Sequence, residues 1–416
     1  MMSGVMIKVA LYLLVRVVLE WDGVLPAWFG VLVLAVGALS SVGGVAYALF
    51  QHELKRLLAL HSIENVGIIL LGLGAALLFR ARGADTWAAL ALAAALLHTF
   101  NHAVFKALLF LGAGSFERAI GPLRIDRVGG LLRRMPWTGG AFLIGAAAIA
   151  GLPPLNGFAS EWLTLQALIH LPAVTHVGDG VAAAVALVAL AATAALAVFC
   201  FAKVVGLVLL GPARSDAAAE AREPAIGSRA ATLGLALVCV VLGAAPGLLL
   251  GPLAGIAPWG TAEPVHAGLR VPGTGSLPAL AILAALVAGT ALLGSLRGRR
   301  TAAPAPTWAS GQLIEPALAW TSAGFTKPLR LSLAAVLRPE RSVRVVRAGG
   351  VVQEVAYRGH VPHLIEERVY RPVVRWSLTA AKHTRRLQSG SLSAYVGYLA
   401  ALVLVLLAAV RLGMIG

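Results

Sequence analysis

Three side chains four residues apart, His98, His102 and Lys106, stand in the stretch LHTFNHAVFKALLF at residues 97–110. On an α-helix a step of four adds about 40° of rotation and about 6 Å of rise, so they form a shallow ladder roughly 12 Å long on one face. The flanking sequence, WAALALAAAL before and FLGAGSF after, reads as membrane-spanning. Ionisable groups at the centre of such a helix cost about 2.5–3.5 kcal/mol each on insertion scales, which marks them as functional candidates. Imidazole and ammonium groups at this spacing suit the passage of protons.

The choice of cation points the same way. The chain holds six lysines against 28 arginines, yet three of the six, Lys8, Lys106 and Lys203, fall in apolar spans where the only arginine is Arg16, near a helix end. Arginine keeps its proton in proteins, whereas a buried lysine can release one. The intramembrane set to be positioned is Lys8, Glu64, His98, His102, Lys106 and Glu161. Lys8 lies close enough to a helix end to snorkel instead. Lys203, within a turn or two of a basic loop, reads first as a snorkelling anchor and second as a member of the path. Glu64 sits about two turns inside its helix and is open between the two roles. His61 beside it reads as interfacial.

One element that must carry these groups is broken. The run FLIGAAAIAGLPPLNGFASEWLTLQALI, residues 142–169, has Gly151, Pro153, Pro154 and Gly157 near its middle. Proline lacks an amide donor and clashes with the preceding turn, so the helix opens there. Non-helical backbone at membrane depth is tolerated where it is buried in protein or faces a hydrated cavity, and discontinuous helices often mark transport sites. Glu161 follows near the start of the second half-helix. The plainer alternative is a kink with a glutamate in a loop mouth.

The remaining elements follow from composition. The chain has 416 residues, 59% hydrophobic and 12% charged, which excludes a soluble domain and predicts an all-α, polytopic membrane helix bundle. Apolar runs near 4–19, 26–49, 56–79, 86–115, 137–170 (interrupted), 180–210, 229–250, 276–296 and 392–413 predict about nine transmembrane helices, one discontinuous. The first run starts without a leading polar segment or signal peptide and reads as a protein entered midway. Residues 1–210 are expected to form the ion-path bundle, 211–296 additional spans, 297–391 a long basic, partly amphipathic segment, and 392–416 a final span.

The net charge of +16 is not spread evenly. Of 34 Lys and Arg, 26 lie in alternate connections, among them Lys55, Arg56, five in 116–136, three in 212–229 and sixteen in 297–391. The opposite connections and the C-terminus hold four, Arg80, Arg82, Arg270 and Arg411. This is the positive-inside pattern, and it predicts cytoplasmic basic loops in a plasma (inner) membrane protein. The charge so placed suits lipid headgroups or an acidic partner face, not nucleic acid. Cys200 and Cys239 sit in separate spans without ligand spacing, so no metal or cofactor is expected in this chain.

Taken in order, these motifs resemble the antiporter-type membrane subunits shared by complex I, Mrp cation/proton antiporters and membrane-bound hydrogenases. MSGVMIKVALYLLVR is similar to that family's eighth helix with its central lysine, and ELKRLLALHSIENVGII to the opening of the tenth. LHTFNHAVFKALLFLGAGS resembles the eleventh, and GLPPLNGFASEWL the broken twelfth. SIEN at 62–65 and the ending TWASGQLIEPALAWTSAGFTKPLR favour the branch of hydrogenase-4 component B and formate hydrogenlyase subunit 3. Ser310 stands where that branch leads one to expect cysteine, and the resemblance leaves seven N-terminal helices of the family unmatched.

The resemblance implies a proton file of Lys8, His98, His102, Lys106 and Glu161, with Glu64 and Lys203 as further candidates. It also implies other membrane subunits, a cytoplasmic redox arm carrying iron–sulfur clusters (a nickel–iron centre being a further candidate) and a separately encoded N-terminal half as partners. The alternative readings are a subunit of a sodium/proton antiporter, or a fragment inactive alone.

Overall fold

The computed structural model describes residues 2–21, 23–174, 177–259, 278–297, 320–348, 351–362, 366–385, 388 and 390–412. Arg270 and Ser310 lie outside them. The chain divides into two compact units, residues 1–329 and 330–416.

In the first unit a π-helical turn, Met2–Met6, runs into α1 (Ile7–Glu20). There follow α2 (Ala27–Leu49), α3 (Leu54–Ala81), α4 (Asp85–Ile120), the short α5 (Leu131–Arg134), α6 (Pro136–Ile149) and α7 (Asn156–Val174). Next come α8 (Val177–Val204), continued by a π-helical turn at Val205–Leu209, and the short α9 (Asp216–Ala219). The unit closes with α10 (Ile226–Ala244), α11 (Gly247–Ala254), α12 (Ala279–Arg297) and α13 (Ser322–Ser332), the last crossing the unit boundary.

Eight helices among the described residues are long and apolar enough to cross a membrane. The interrupted pair α6 and α7 adds the ninth crossing read from the sequence. α4, at 36 residues, is about 54 Å long, well beyond a hydrocarbon core of about 30 Å. α3 and α4 are the innermost helices, with most of their side chains buried. They carry the polar groups of interest.

The connections gather by charge. The amide of Leu54 donates to the Leu123 carbonyl at 3.1 Å, that of Ile125 to His52 at 2.9 Å, and that of Gly130 to Leu210 at 3.0 Å. The loops bearing Lys55 and Arg56, the five arginines of 116–136 and Arg214 therefore meet at one end of the bundle. At the other end Arg80 pairs with Asp85 at 2.7 Å, and Arg82 donates through Nε to Asp179 at 2.9 Å.

The break between α6 and α7 is fixed by close packing and a side-chain hydrogen bond. Gly151 has φ +63°, a left-handed conformation that favours glycine. At Gly157 a Cβ would collide with the Ala148 carbonyl, so the second half-helix starts across the end of the first. The Asn156 carbonyl, in the first turn of α7, accepts from Asn101 Nδ2 at 2.7 Å. Gly243 of α10 packs against Pro154 and Leu155, where a Cβ would meet Leu155 Cα at 2.6 Å. Pro154, Asn156 and Gly157 are buried there, whereas Leu152 and Pro153 are exposed.

The second unit holds α14 (Ala334–Leu337), a β-hairpin of β1 (Glu340–Ala348) and β2 (Val351–His360), a π-helical turn at Glu366–Tyr370, α15 (Arg371–Thr384) and α16 (Leu392–Arg411). The strands pair antiparallel, Val345 opposite Val355, with an irregularity between Val346 and Arg347. These two strands, which the sequence reading did not anticipate, are the only ones among the described residues. In α15, Val373, Trp376 and Ala380 form one stripe and Arg371, Arg375 and Lys382 lie off it. α16 is apolar all round and buries no side chain, as expected of a helix whose solvent is lipid.

Candidate functional site

The ladder on α4 is fully buried: His98, His102 and Lys106 each have 0% exposure. Three neighbours meet it. The first is α1, from which Lys8 Nζ donates to His102 Nδ1 at 2.9 Å and to the Ser3 carbonyl at 2.6 Å. With Nδ1 accepting, the imidazole proton of neutral His102 sits on Nε2. That nitrogen is buried and has no partner among the described residues. His102 therefore takes hydrogen bonds from a lysine on one side and has a free donor on the other.

The second neighbour is α3. Leu58, His61, Ser62 and Asn65 recur at helical spacing and turn one face toward α4. Lys106 Nζ donates to the Leu58 carbonyl, to which Ser62 Oγ also donates at 3.4 Å. The Lys106 ammonium lies 5.3 Å from the Phe110 ring centroid, a cation–π contact. Asn65 donates through Nδ2 to the His61 carbonyl at 2.8 Å, which turns its Oδ1 toward His98 Nε2 at 3.2 Å. Ser3 and Ser62 hydroxyls meet at 2.5 Å and tie the N-terminal turn to the same face.

The third neighbour is the second half of the broken helix. Ser160 Oγ contacts His98 Nδ1 at 2.9 Å and receives Asn101 Nδ2 at 3.1 Å. Both ring nitrogens of His98 are therefore engaged, one by α3 and one by α7. Glu161, the next residue, is half-buried, and its carboxylate lies over the α-carbon of Gly151, where a Cβ would meet Oε2. Glu161 makes no hydrogen bond among the described residues.

Of the residues read as the file, the structure joins Lys8 directly to His102. It places His98 and Lys106 on the same buried face and Glu161 beside the residue that holds His98. Glu64 is buried and bound to His61 Nδ1, with Lys106 near enough to act on it electrostatically. Lys203 is fully buried, donating to the Leu49 and Gln51 carbonyls at 2.6 and 3.2 Å, so it closes the end of α2 instead of reaching for headgroups. His61, read as interfacial, is also fully buried, between Glu64 and Cys200. Sequence reasoning passed over Asn65, Asn101, Asn156 and Ser160. The i, i+4, i+8 spacing of Asn156, Ser160 and Thr164 was the signal for a polar face on α7. Among the described residues no three His, Cys, Asp or Glu converge as a metal site.

The fold is a polytopic membrane-type helix bundle with buried lysines and histidines on crossed helices, one of them broken. Residues 1–195 match the family described as NADH:quinone oxidoreductase/Mrp antiporter, transmembrane. This chain belongs to that family of antiporter-type membrane subunits and is a multi-pass membrane protein. It is 38% identical to hydrogenase-4 component B of Escherichia coli over 99% of this chain and 63% of that protein. Formate hydrogenlyase subunit 3 of the same organism is 36% identical over 75% of this chain and 51% of its own length. The chain thus spans about half to two thirds of these relatives. A subunit of the membrane-bound sulfane sulfur reductase, an archaeal respiratory membrane complex, superposes with a TM-score of 0.68 over 98% of this chain and 62% of that one. At 23% identity that likeness speaks for the fold alone.

Proposed function

We propose that this chain moves protons within a membrane assembly of the hydrogenase-4 or formate hydrogenlyase kind, seated in the plasma membrane with its basic loops cytoplasmic. The observation that carries the reading is the 2.9 Å contact between Lys8 Nζ and His102 Nδ1, across two helices, with His102 fully buried and Lys8 half-buried. Lysine hands a proton to Nδ1, and the ring releases its other proton from Nε2, so one hop moves charge across the imidazole. Lys106, a turn further along α4, is the next acceptor once it has passed its own proton on and stands as the neutral amine. Arginine in either lysine position would hold its proton and stop the sequence.

His98 has a different part. Held at both nitrogens, it fixes α3 against the start of α7 and keeps Glu161 at the broken helix, where exchange with one side of the membrane takes place. The names of the relatives, a hydrogenase component and a formate hydrogenlyase subunit, support a setting with other membrane subunits and a redox arm. Lipid contact, iron–sulfur clusters or a nickel–iron centre on that arm, and a separately encoded N-terminal partner belong to the proposal alone. The second reading, a sodium/proton antiporter subunit, draws on the family description, which names the Mrp antiporter beside NADH:quinone oxidoreductase.

The test is proton uptake by vesicles holding the assembly in which the chain resides. Lys106→Ala should lower uptake about 100-fold or more, the scale of a positioned proton-transfer group. Uptake at the wild-type rate would overturn the assignment. Uptake driven by a sodium gradient without electron transfer would favour the second reading.

A further inference from the structure

His61, Glu64 and Cys200 form a buried group that the file above does not use. His61 Nδ1 meets the Glu64 carboxylate, and Nε2 faces Cys200 Sγ at 3.3 Å. All three side chains are at most 1% exposed. They come from two helices, α3 and α8, and Cys200 is a free thiol.

The group continues toward the basic-loop end. Lys203 is three residues after Cys200 on α8, so the two share a face about 5–6 Å apart at Cβ. An ammonium has three donors, and two of those on Lys203 go to the Leu49 and Gln51 carbonyls. One is left to reach the thiol through a water. The Gln51 carbonyl also accepts from Ser322 Oγ at 3.4 Å, and the Ser322 amide donates to Asp126 Oδ1 at 2.6 Å. Asp126 pairs with His52 at 3.2 Å, where the two side chains are 32% and 44% exposed. Asp126 is also near enough to act on Lys203 electrostatically. Solvent-reachable titratable groups thus stand at one end of a polar succession and the buried Glu64 at the other.

We infer that Lys203, Cys200 and His61 are relay residues that carry protons from the Asp126–His52 cluster at the basic-loop face to Glu64, beside Lys106. The inference rests on the proton-transfer reading above. The step balances as follows. Lys203 gives a proton to the Cys200 sulfur side as the thiol gives its own to His61 Nε2. His61 releases its Nδ1 proton to the Glu64 carboxylate. Lys203 ends as an amine, Cys200 again as a thiol, His61 as the other neutral tautomer, and Glu64 as a carboxylic acid; a proton passed through water from the Asp126–His52 cluster restores the Lys203 ammonium. A ring flip resets His61 for the next proton.

This chain has two cysteines, so in the assembly the S–H stretching band of Cys200 is read as the difference between Cys239→Ala and Cys239→Ala/Cys200→Ala, in an infrared window free of other protein absorption. In the assembly, that thiol should exchange with D2O promptly although it is fully buried. Lys203→Arg, which keeps the carbonyl bonds but cannot give up a proton, should slow the exchange about tenfold or more. Glu64→Gln, beyond the thiol, should leave exchange intact. Cys200→Ala should lower proton flux about tenfold, and Cys200→Ser, whose hydroxyl can still relay, should restore most of it. A thiol that stays protonated in D2O, or equal wild-type flux in both Cys200 variants, would overturn the relay. If Lys106→Ala abolishes flux while Cys200→Ala does not, only the relay fails. If neither variant changes flux, the proton-transfer reading fails with it.

Discussion

Gly44 offers a measure of how tightly the polar face of α3 is positioned. A Cβ at this residue would lie 2.5 Å from the Glu64 nitrogen, 2.9 Å from its Cα and 3.1 Å from its Cβ, atoms that have no rotamer to change. Relieving these contacts requires α2 and α3 to part by roughly 1 Å, a cost of about 1–3 kcal/mol for overpacking. Gly43, the preceding residue, has nothing within 4 Å of an added Cβ. Both lie inside α2, so alanine brings each the same gain of about 1 kcal/mol in helix propensity. Gly43→Ala should therefore stabilise by up to about 1 kcal/mol, and Gly44→Ala should fall about 1–3 kcal/mol below it. Thermal and denaturant unfolding in one detergent would compare the pair, and flux would report the displaced Glu64. Equal stability of the two variants would refute the packing argument.

His98→Ala should destabilise by about 2–4 kcal/mol, because it strips partners from buried Asn65 and Ser160 at once; unfolding midpoints check this. At Asp126 burial raises the carboxyl, but the His52 hydrogen bond, the Ser322 amide and the charges of His52 and Arg214 outweigh it and hold the group below its ordinary 3.8. A depressed carboxyl adds stability above that value and loses it as pH falls through the lower folded value. The stability difference between wild type and Asp126→Asn should therefore stay constant from neutral pH to about 4 and close only in stronger acid, as pH-dependent unfolding would read.

Much of this was legible because a membrane limits what a sequence can mean. Nine apolar runs, one carrying two prolines, give the crossings, and alternate Arg-rich connections give their order, which the loop contacts of 50–54, 121–130 and 210–214 reproduce. The His98/His102/Lys106 ladder declared its own face by period. What escaped was the depth and pairing of single groups. Lys203 and His61 sit near loops in sequence, yet α2 and α8 fold over them, and only tertiary packing supplies the carbonyls and the thiol they bind. The hairpin at 340–360 was hidden for another reason: its strands are rich in arginine and valine, a composition equally at home in a basic amphipathic helix.

His102 is the place where the account is most exposed. It is the one ring that touches Lys8 and has a second nitrogen buried and unpartnered among the described residues. Glutamine there keeps the size and a hydrogen-bonding group but cannot accept a proton and pass another on. Proton flux through vesicles of the intact assembly carrying His102→Gln should fall about 100-fold, with unfolding temperature nearly unchanged. Flux at the wild-type rate would contradict the claim that protons cross this imidazole.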